Sequence, residues 1–283
     1  MQHIDSNQTP IADKSTPGSA SFDAYSPSQI AQLVENLGVR KACLPKNQIV
    51  ILSILAGAFI AFGAMFYTVV ITGNNLGFGV ERLLGGMAFT LGLILVVIGG
   101  AELFTGNNLI VMAWADGKIS MTQLLTNWGL VYVGNFVGAL ACVALVRFSG
   151  TLELGAGAVA STAVAIANAK VELSFAEAFI RGILCNTLVC LAIWLSYASH
   201  QVPGKILCIL FPISAFVALG FEHSIANMYL IPIGMLASGT GIDTFVLLGN
   251  LVPVTLGNIV GGSVFVALVY WDIYLHGKGE SMQ

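Results

Sequence analysis

Three side chains able to trade protons, Glu102, Glu222 and His223, lie inside stretches otherwise made of hydrocarbon. Ionisable groups in such surroundings are costly to hold and tend to mark polar pathways. Among them only histidine changes charge near neutral pH when unperturbed, which singles out His223 as a candidate pathway residue. The same residue types also build acid–base catalytic sites. Here no Ser/Lys dyad, Gly-x-Ser-x-Gly turn or metal-ligand spacing accompanies them, which disfavours an intramembrane enzyme. The five cysteines, Cys43, Cys142, Cys185, Cys190 and Cys208, form no CxxC or Cys/His pattern and read as small apolar packing residues. No metal, cofactor or disulfide framework is expected.

The two glutamates belong to one repeated pattern. Gly100-Ala-Glu102-Leu-Phe-Thr-Gly-Asn107 and Gly220-Phe-Glu222-His-Ser-Ile-Ala-Asn227 both fit Gly-x-Glu-x-x-x-x-Asn. A second pair follows in the same order, Gly134-Asn135-Phe-Val-Gly138 and Gly257-Asn258-Ile-Val-Gly261. Two ordered matches at a separation of about 120 residues define two homologous halves. Each half holds an odd number of spans, so the second enters the membrane from the opposite face. Paired interruptions in such inverted repeats point to a substrate path near the midplane. The repetition also gives each glutamate a local structural reading: a carboxylate beside unwound backbone can accept from orphan N–H groups of the next half-helix. Asn107, Asn227, Asn135 and Asn258 read likewise as caps and interhelical hydrogen-bond formers, with glycines allowing close approach.

The elements that must hold these residues are membrane helices. Of 283 residues 57% are hydrophobic and 9% charged, and mean hydropathy is +0.87; a soluble domain needs more charge than that on its surface. The net charge of −3 offers no basic patch for nucleic acid. Apolar spans cover Gln48–Ile71, Leu83–Ala115, Leu124–Phe148, Phe175–Ala198, Ile206–Ala237 and Phe245–Tyr274. As single helices the second and fifth would be roughly 50 Å long, beyond the thickness of a bilayer core. Each is therefore expected to break at its Gly-x-Glu motif, which is tolerated only where the unwound backbone is buried in protein or lines a cavity. The sixth, also long, has no acidic break and is expected to run on past the membrane. The fold class expected is all-α integral membrane, with six transmembrane helices in two inverted three-helix repeats.

Residues 1–22 are polar, with Ser, Pro, Thr and Asp where an apolar signal core would be, and read as a disordered tail without a cleavable signal. An amphipathic helix follows within 23–45. Ser26, Pro27 and Gln29 form its capping signal, Ile30, Leu33, Val34 and Leu37 its apolar stripe, and Gly38 its expected stop. It is expected at the membrane surface or against a neighbouring subunit. The transmembrane unit spans 46–275, with halves 46–150 and 171–275 joined by a Gly/Ala-rich connector at 155–168, and 276–283 form a C-terminal tail. Lys14, Arg40, Lys41, Lys46, Lys118, Lys205 and Lys278 fall on the side of the termini; Arg82, Arg147, Lys170 and Arg181 fall on the other. That bias favours cytoplasmic termini, in an inner membrane. Trp114, Trp128, Trp194 and Trp271 lie near span ends, where aromatic belts are expected.

With these residues in view the chain resembles the formate–nitrite transporter family. The resemblance rests on Leu103-Phe-Thr-Gly, on the run Cys185-Asn186-Thr-Leu-Val-Cys-Leu-Ala-Ile-Trp194, on Gly220-Phe-Glu-His-Ser-Ile-Ala-Asn-Met228 and on Val254-Thr-Leu-Gly-Asn-Ile-Val-Gly-Gly262. It covers nearly everything after residue 22. It implies an aquaporin-like homopentamer with one pore per protomer, passing formate, nitrite, hydrosulfide or lactate. It assigns His223 to the pore centre, Thr105 to the break facing that histidine, and Asn186 to the lining nearby. Without it, Thr105 would read as an N-cap and Asn186 as an interhelical hydrogen bond. It implies apolar constrictions, with Phe89, Leu93 and Leu103 fitting one gate and Phe216 and Val189 the other. It makes Lys170, otherwise a loop lysine, a vestibule residue that attracts anions.

A neutral-solute channel of aquaporin type is the main rival, and it lacks its Asn-Pro-Ala pair here. A channel and an ion-coupled carrier both fit the sequence. Between substrates the signals divide. The amphipathic N-terminal segment and the stretch from Pro253 to Gly262 look like the formate branch. Phe104-Thr-Gly and the short 238–243 connection look like the nitrite branch. The two anions are alike in size, charge and shape, so one pore is expected to pass both.

Overall fold

A computed structural model describes residues 24–276. The 1–22 tail, Lys14, Lys278 and all of the C-terminal tail but His276 lie outside them. The described chain is helical, and five of its helices are long and apolar enough to cross a membrane. In chain order the helices are α1 Pro27–Ala42, α2 Lys46–Ile71, α3 Phe78–Gly99, α4 Val111–Ala115, α5 Met121–Phe148, α6 Ala158–Val171, α7 Phe175–Ala198, α8 Val202–Ala218, α9 Ser224–Ala237, α10 Thr244–Ile259 and α11 Val269–Tyr274. A tight turn of helix, Gly106–Ile110, leads into α4. A π-helical stretch, Val260–Leu268, joins α10 to α11 in one continuous rod.

Helical geometry stops at both Gly-x-Glu motifs. α3 ends at Gly100 in the left-handed region (φ +77°), and α8 is followed by Gly220 in the same conformation (φ +74°). At the second stop Phe221 N–H returns to the Phe216 carbonyl and Gly220 N–H to that of Val217. This is the Schellman arrangement that a left-handed glycine permits. The interruptions expected at the two motifs thus fall between α3 and α4 and between α8 and α9.

Small residues let the long helices touch. A methyl group on Gly57 of α2 would lie 2.0 Å from the Asn135 carbonyl of α5, and one on Gly138 equally close to that of Ile54. In the second half Gly257 of α10 and Gly261 of the π-helical stretch after it would each meet an α7 carbonyl at 2.2 Å. Contacts this close hold α5 against α2 and α10 against α7, which is how membrane helices associate without a hydrophobic driving force.

Several expectations need correction. Gly38 does not stop α1, which runs on to Ala42. The missing side chain instead brings α1 against Ile110 and Ala113. The capping box of Ser26 and Gln29 is present. However, the apolar face of α1 is covered by its own chain: Ile30 and Val34 are buried, each worth about 1.5–3 kcal/mol when withdrawn from water. Within the 155–168 connector, the Ala-rich part continues as helix α6, because alanine favours helix once Gly155 and Gly157 have turned the chain. Trp194 is buried and stacked on Tyr270 at 4.1 Å, so it belongs to the interior and not to a belt. Trp128 donates to the Asn107 carbonyl at 3.0 Å.

Candidate functional site

Each break is held by the same set of bonds. In the first, Glu102 N–H donates to the Leu52 carbonyl (3.2 Å) and Phe104 N–H to Asn135 Oδ1 (2.9 Å). Asn135 Nδ2 donates to the carbonyls of Ser53 and Glu102. In the second, Glu222 N–H donates to the Arg181 carbonyl (3.2 Å) and Ser224 N–H to Asn258 Oδ1 (2.9 Å). Asn258 Nδ2 then donates to the carbonyls of Gly182 and Glu222. One buried asparagine per half thus replaces the partners that the backbone loses on leaving the helix, as apolar surroundings require.

The glutamates do something other than expected. Neither caps a half-helix. Lys41 Nζ donates to Glu102 (2.8 Å) and to Asn107 Oδ1 (3.0 Å), and Asn107 Nδ2 donates to the other Glu102 oxygen (2.7 Å). Asn107 also reaches Asn127, whose amide returns to the Lys41 carbonyl. The second half repeats this: Lys170 Nζ to Glu222 (2.9 Å), Asn227 to Glu222 (2.7 Å) and to Asn250, and Asn250 to the Lys170 carbonyl (2.8 Å). A carboxylate this deeply buried needs a cation and further donors to offset its desolvation, and here lysine and asparagine supply them. Lys170 is therefore a helix-end lysine of α6 in a buried ion pair, and Lys41 of α1 is its counterpart.

At the centre the two breaks touch. Thr105 Oγ1 and His223 Nε2 lie 2.9 Å apart. Thr105 caps nothing with its side chain; His223 is the N-cap of α9, its Nδ1 accepting from Ala226 N–H at 3.1 Å. That bond fixes the neutral tautomer, since Nδ1 must be bare and the proton must sit on Nε2. Asn186 Nδ2 lies within bonding distance of the carbonyls of Thr105 (3.2 Å) and Asn258 (2.7 Å) and of Asn108 Oδ1 (2.8 Å), while its own Oδ1 has no partner among the described residues. Cys190, one turn on, donates to the Thr105 carbonyl. The π-helical stretch gives room for this group. A side chain on Gly262 would strike Asn186, Asn108 and Cys190 at 2.5–2.8 Å.

Two cavities approach this centre from opposite ends. One, of about 590 Å³, reaches His223 and is lined by Phe89, Phe216, Lys170, Arg82 and Arg181; it lies on the α6 side. The other, of about 320 Å³, is lined by Arg40, Lys41, Glu102, Leu103, Asn107 and Lys205 and lies on the α1 side. The two expected gates are regrouped by this geometry. Phe89 and Phe216 pack edge to face at 5.6 Å, and Phe216 stacks on the His223 ring at 5.9 Å, so both belong to the α6 side. Leu103 lines the α1-side cavity, whereas Leu93 and Val189 are buried and line neither. The reason is that α3 and α8 cross beside His223, bringing their phenylalanines together.

Sequence reasoning missed Lys41, Asn108, Asn127 and Asn250 as members of this site. Asn127 and Asn250 are 123 residues apart, the same offset as Asn135 and Asn258, so extending the repeat by about two helical turns would have found them. Asn108 has no such signal, because its counterpart in register is Met228.

Comparison with known proteins agrees with this arrangement. A family described as "Formate/nitrite transporter" matches residues 28–272. The chain is 42% identical over 273 residues to "Formate channel FocA" of Escherichia coli (strain K12), covering 90% of this chain and 96% of that one. It is 43% identical over 267 residues to "Probable formate transporter" of Methanothermobacter thermautotrophicus, covering 88% and 97%. A solved structure described as "Pentameric formate channel with formate bound" superimposes with a TM-score of 0.75 at 40% identity, covering 81% of this chain and 98% of that one.

Proposed function

Because this chain belongs to the formate/nitrite transporter family, we propose that it is a membrane channel for small monovalent anions of weak acids, formate first and nitrite with it. The relatives bear the names of formate channels and transporters, which supports transport and not catalysis. The observation that carries the pathway is the Thr105–His223 contact, which closes a buried centre between two cavities lined by cations. The paired breaks and their matching bonds support two inverted repeats in six crossings, an aquaporin-like plan with the second and fifth spans interrupted. The pentamer of the solved relative supports a pentamer here, and the distribution of Lys and Arg supports cytoplasmic termini in an inner membrane.

On this reading an anion gathers in the α6-side cavity, where Lys170 and the two arginines offset the carboxylates. Crossing the Phe89–Phe216 constriction strips its water, at roughly several kcal/mol. The α9 N-terminus and the Nε2–H of His223 offset part of that cost. The proton follows a geometric rule. A second proton on the ring would set Nδ1–H against Ala226 N–H, so ring protonation and the capping of α9 exclude one another. Proton occupancy is thereby tied to the shape of the centre. An anion that takes a proton from water in the cavity crosses the dry ring as a neutral weak acid and returns that proton to water on the far side, with the His223 ring left neutral. Thr105 holds the Nε2–H until the permeant takes its place. Asn186 and Asn108 brace the threonine carbonyl side.

Purified protein in liposomes tests this by uptake of formate, nitrite, hydrosulfide and glycerol in parallel. Rapid formate and nitrite flux with little glycerol is expected. Glycerol flux without anion flux would mean a neutral-solute channel and overturn the proposal.

A further inference from the structure

The carbonyl end of α8 faces the α6-side cavity, and a helix C-terminus carries about half a negative charge. On its own it would repel the anion that this mouth must admit. Arg82 of α3 answers it. Its Nε donates to the Ala218 carbonyl and its Nη2 to that of Val217, both at 2.9 Å, a fork only a guanidinium can make. Arg181 of α7 reaches the Gly220 carbonyl at 3.5 Å. Gly220 makes room for this: a side chain there would lie 3.0 Å from the Arg82 Nη2. Both arginines are half-buried and line the cavity.

The device is one-sided. In the register of the repeat Arg82 corresponds to Val202, and Arg181, by the register that pairs Gly182 with Ser53, to Leu52. Among the described residues no side chain donates to the carbonyls of Val97 and Ile98, which correspond to Val217 and Ala218. Lys170, the other cation of this mouth, is committed to Glu222, and Glu81 adds a further carboxylate to the lining. Without the two arginines the mouth would carry a helix C-terminus and two carboxylates against a single lysine and the N-terminus of α9.

We propose that Arg82, seconded by Arg181, is a positioning residue for anion selection: it reverses the sign of the field at the carbonyl end of α8 and so sets the concentration of anions at the α6-side mouth. This rests on the reading of the chain as an anion pathway. One cation at about 10 Å changes local anion concentration by about three- to tenfold at effective dielectric constants between those of protein surface and water.

The test is formate uptake into proteoliposomes at sub-saturating and saturating concentrations, in low salt and in 1 M inert salt, for wild type, R82Q, R82K and R181Q. In low salt R82Q is expected to lose about three- to tenfold at sub-saturating formate, with little change at saturation. R82K, which keeps the charge but not the fork, should approach wild type. R181Q, which gives up a charge but only one long hydrogen bond, should show a smaller loss and serves if R82Q does not assemble. The differences should vanish in 1 M salt, where screening acts within about 3 Å. If R82K is as impaired as R82Q and salt restores nothing, the arginine is only a cap and the proposal fails. A wild type that passes no formate would instead overturn the anion-pathway reading itself.

Discussion

At the scale of residues, two ion pairs sit where lipid-spanning segments should hold none. Lys41–Glu102 and Lys170–Glu222 are fixed by the adjoining asparagines, and each glutamate has both oxygens engaged. Breaking such a pair leaves one buried charge without a partner, at a cost of about 3–5 kcal/mol. Lys170→Met is therefore expected to lower the thermal unfolding midpoint of the purified protein sharply. Adding Glu222→Gln, which removes the orphan charge and keeps an acceptor for Asn227, should recover most of the loss. A K170M protein that unfolds with wild type would show that the pair contributes nothing. The same residues show where the sequence was mute. A glutamate beside a glycine announces a break, but the lysine that neutralises it lies 52 or 61 residues away. Only the folded chain shows that α1 and α6 supply equivalent cations.

At the scale of elements, the repeat is larger than its motifs. α1 and α6 each end in the lysine that serves the following break, so each half begins with a short helix outside the long spans. The α1 sequence gave its caps and stripe but not its partner, because an amphipathic face says nothing about what covers it. It is fastened by Glu35, which Lys118 bonds from the segment after α4. Burial pushes the Glu35 carboxyl above its usual value of 4.5, with the Lys118 hydrogen bond opposing. The docked helix thus binds a proton more readily than the undocked one. Docking should tighten as pH falls from that raised value towards 4.5, and level off below it. Hydrogen exchange across α1, corrected for its intrinsic pH dependence, should show greater protection at the acidic end, and Glu35→Gln should flatten the trend. Protection that declines on acidification would contradict this.

At the scale of the whole molecule, two nearly equivalent halves meet at a centre that is not equivalent. In register His223 corresponds to Leu103, Thr105 to Ile225 and Asn108 to Met228. The scaffold of breaks, asparagines and ion pairs is duplicated, whereas the polar centre occurs once. That division explains what could be read beforehand. Duplicated features announce themselves by repetition, so the breaks, spans and long helices were legible. Unique features do not: His223 was singled out by its chemistry and by resemblance, Thr105 and Asn186 by resemblance alone, and the pairing of Phe89 with Phe216 by neither. The central claim is that the permeant crosses at His223, where ring protonation and the capping of α9 compete. His223→Asn keeps an acceptor for Ala226 N–H but cannot titrate or reach Thr105. Formate uptake by wild type and H223N in liposomes at pH 5.5 and 7.5 tests the claim most directly. The account predicts an assembled variant whose ratio of uptake between the two pH values differs clearly from that of wild type; an unchanged ratio in a folded variant would contradict it.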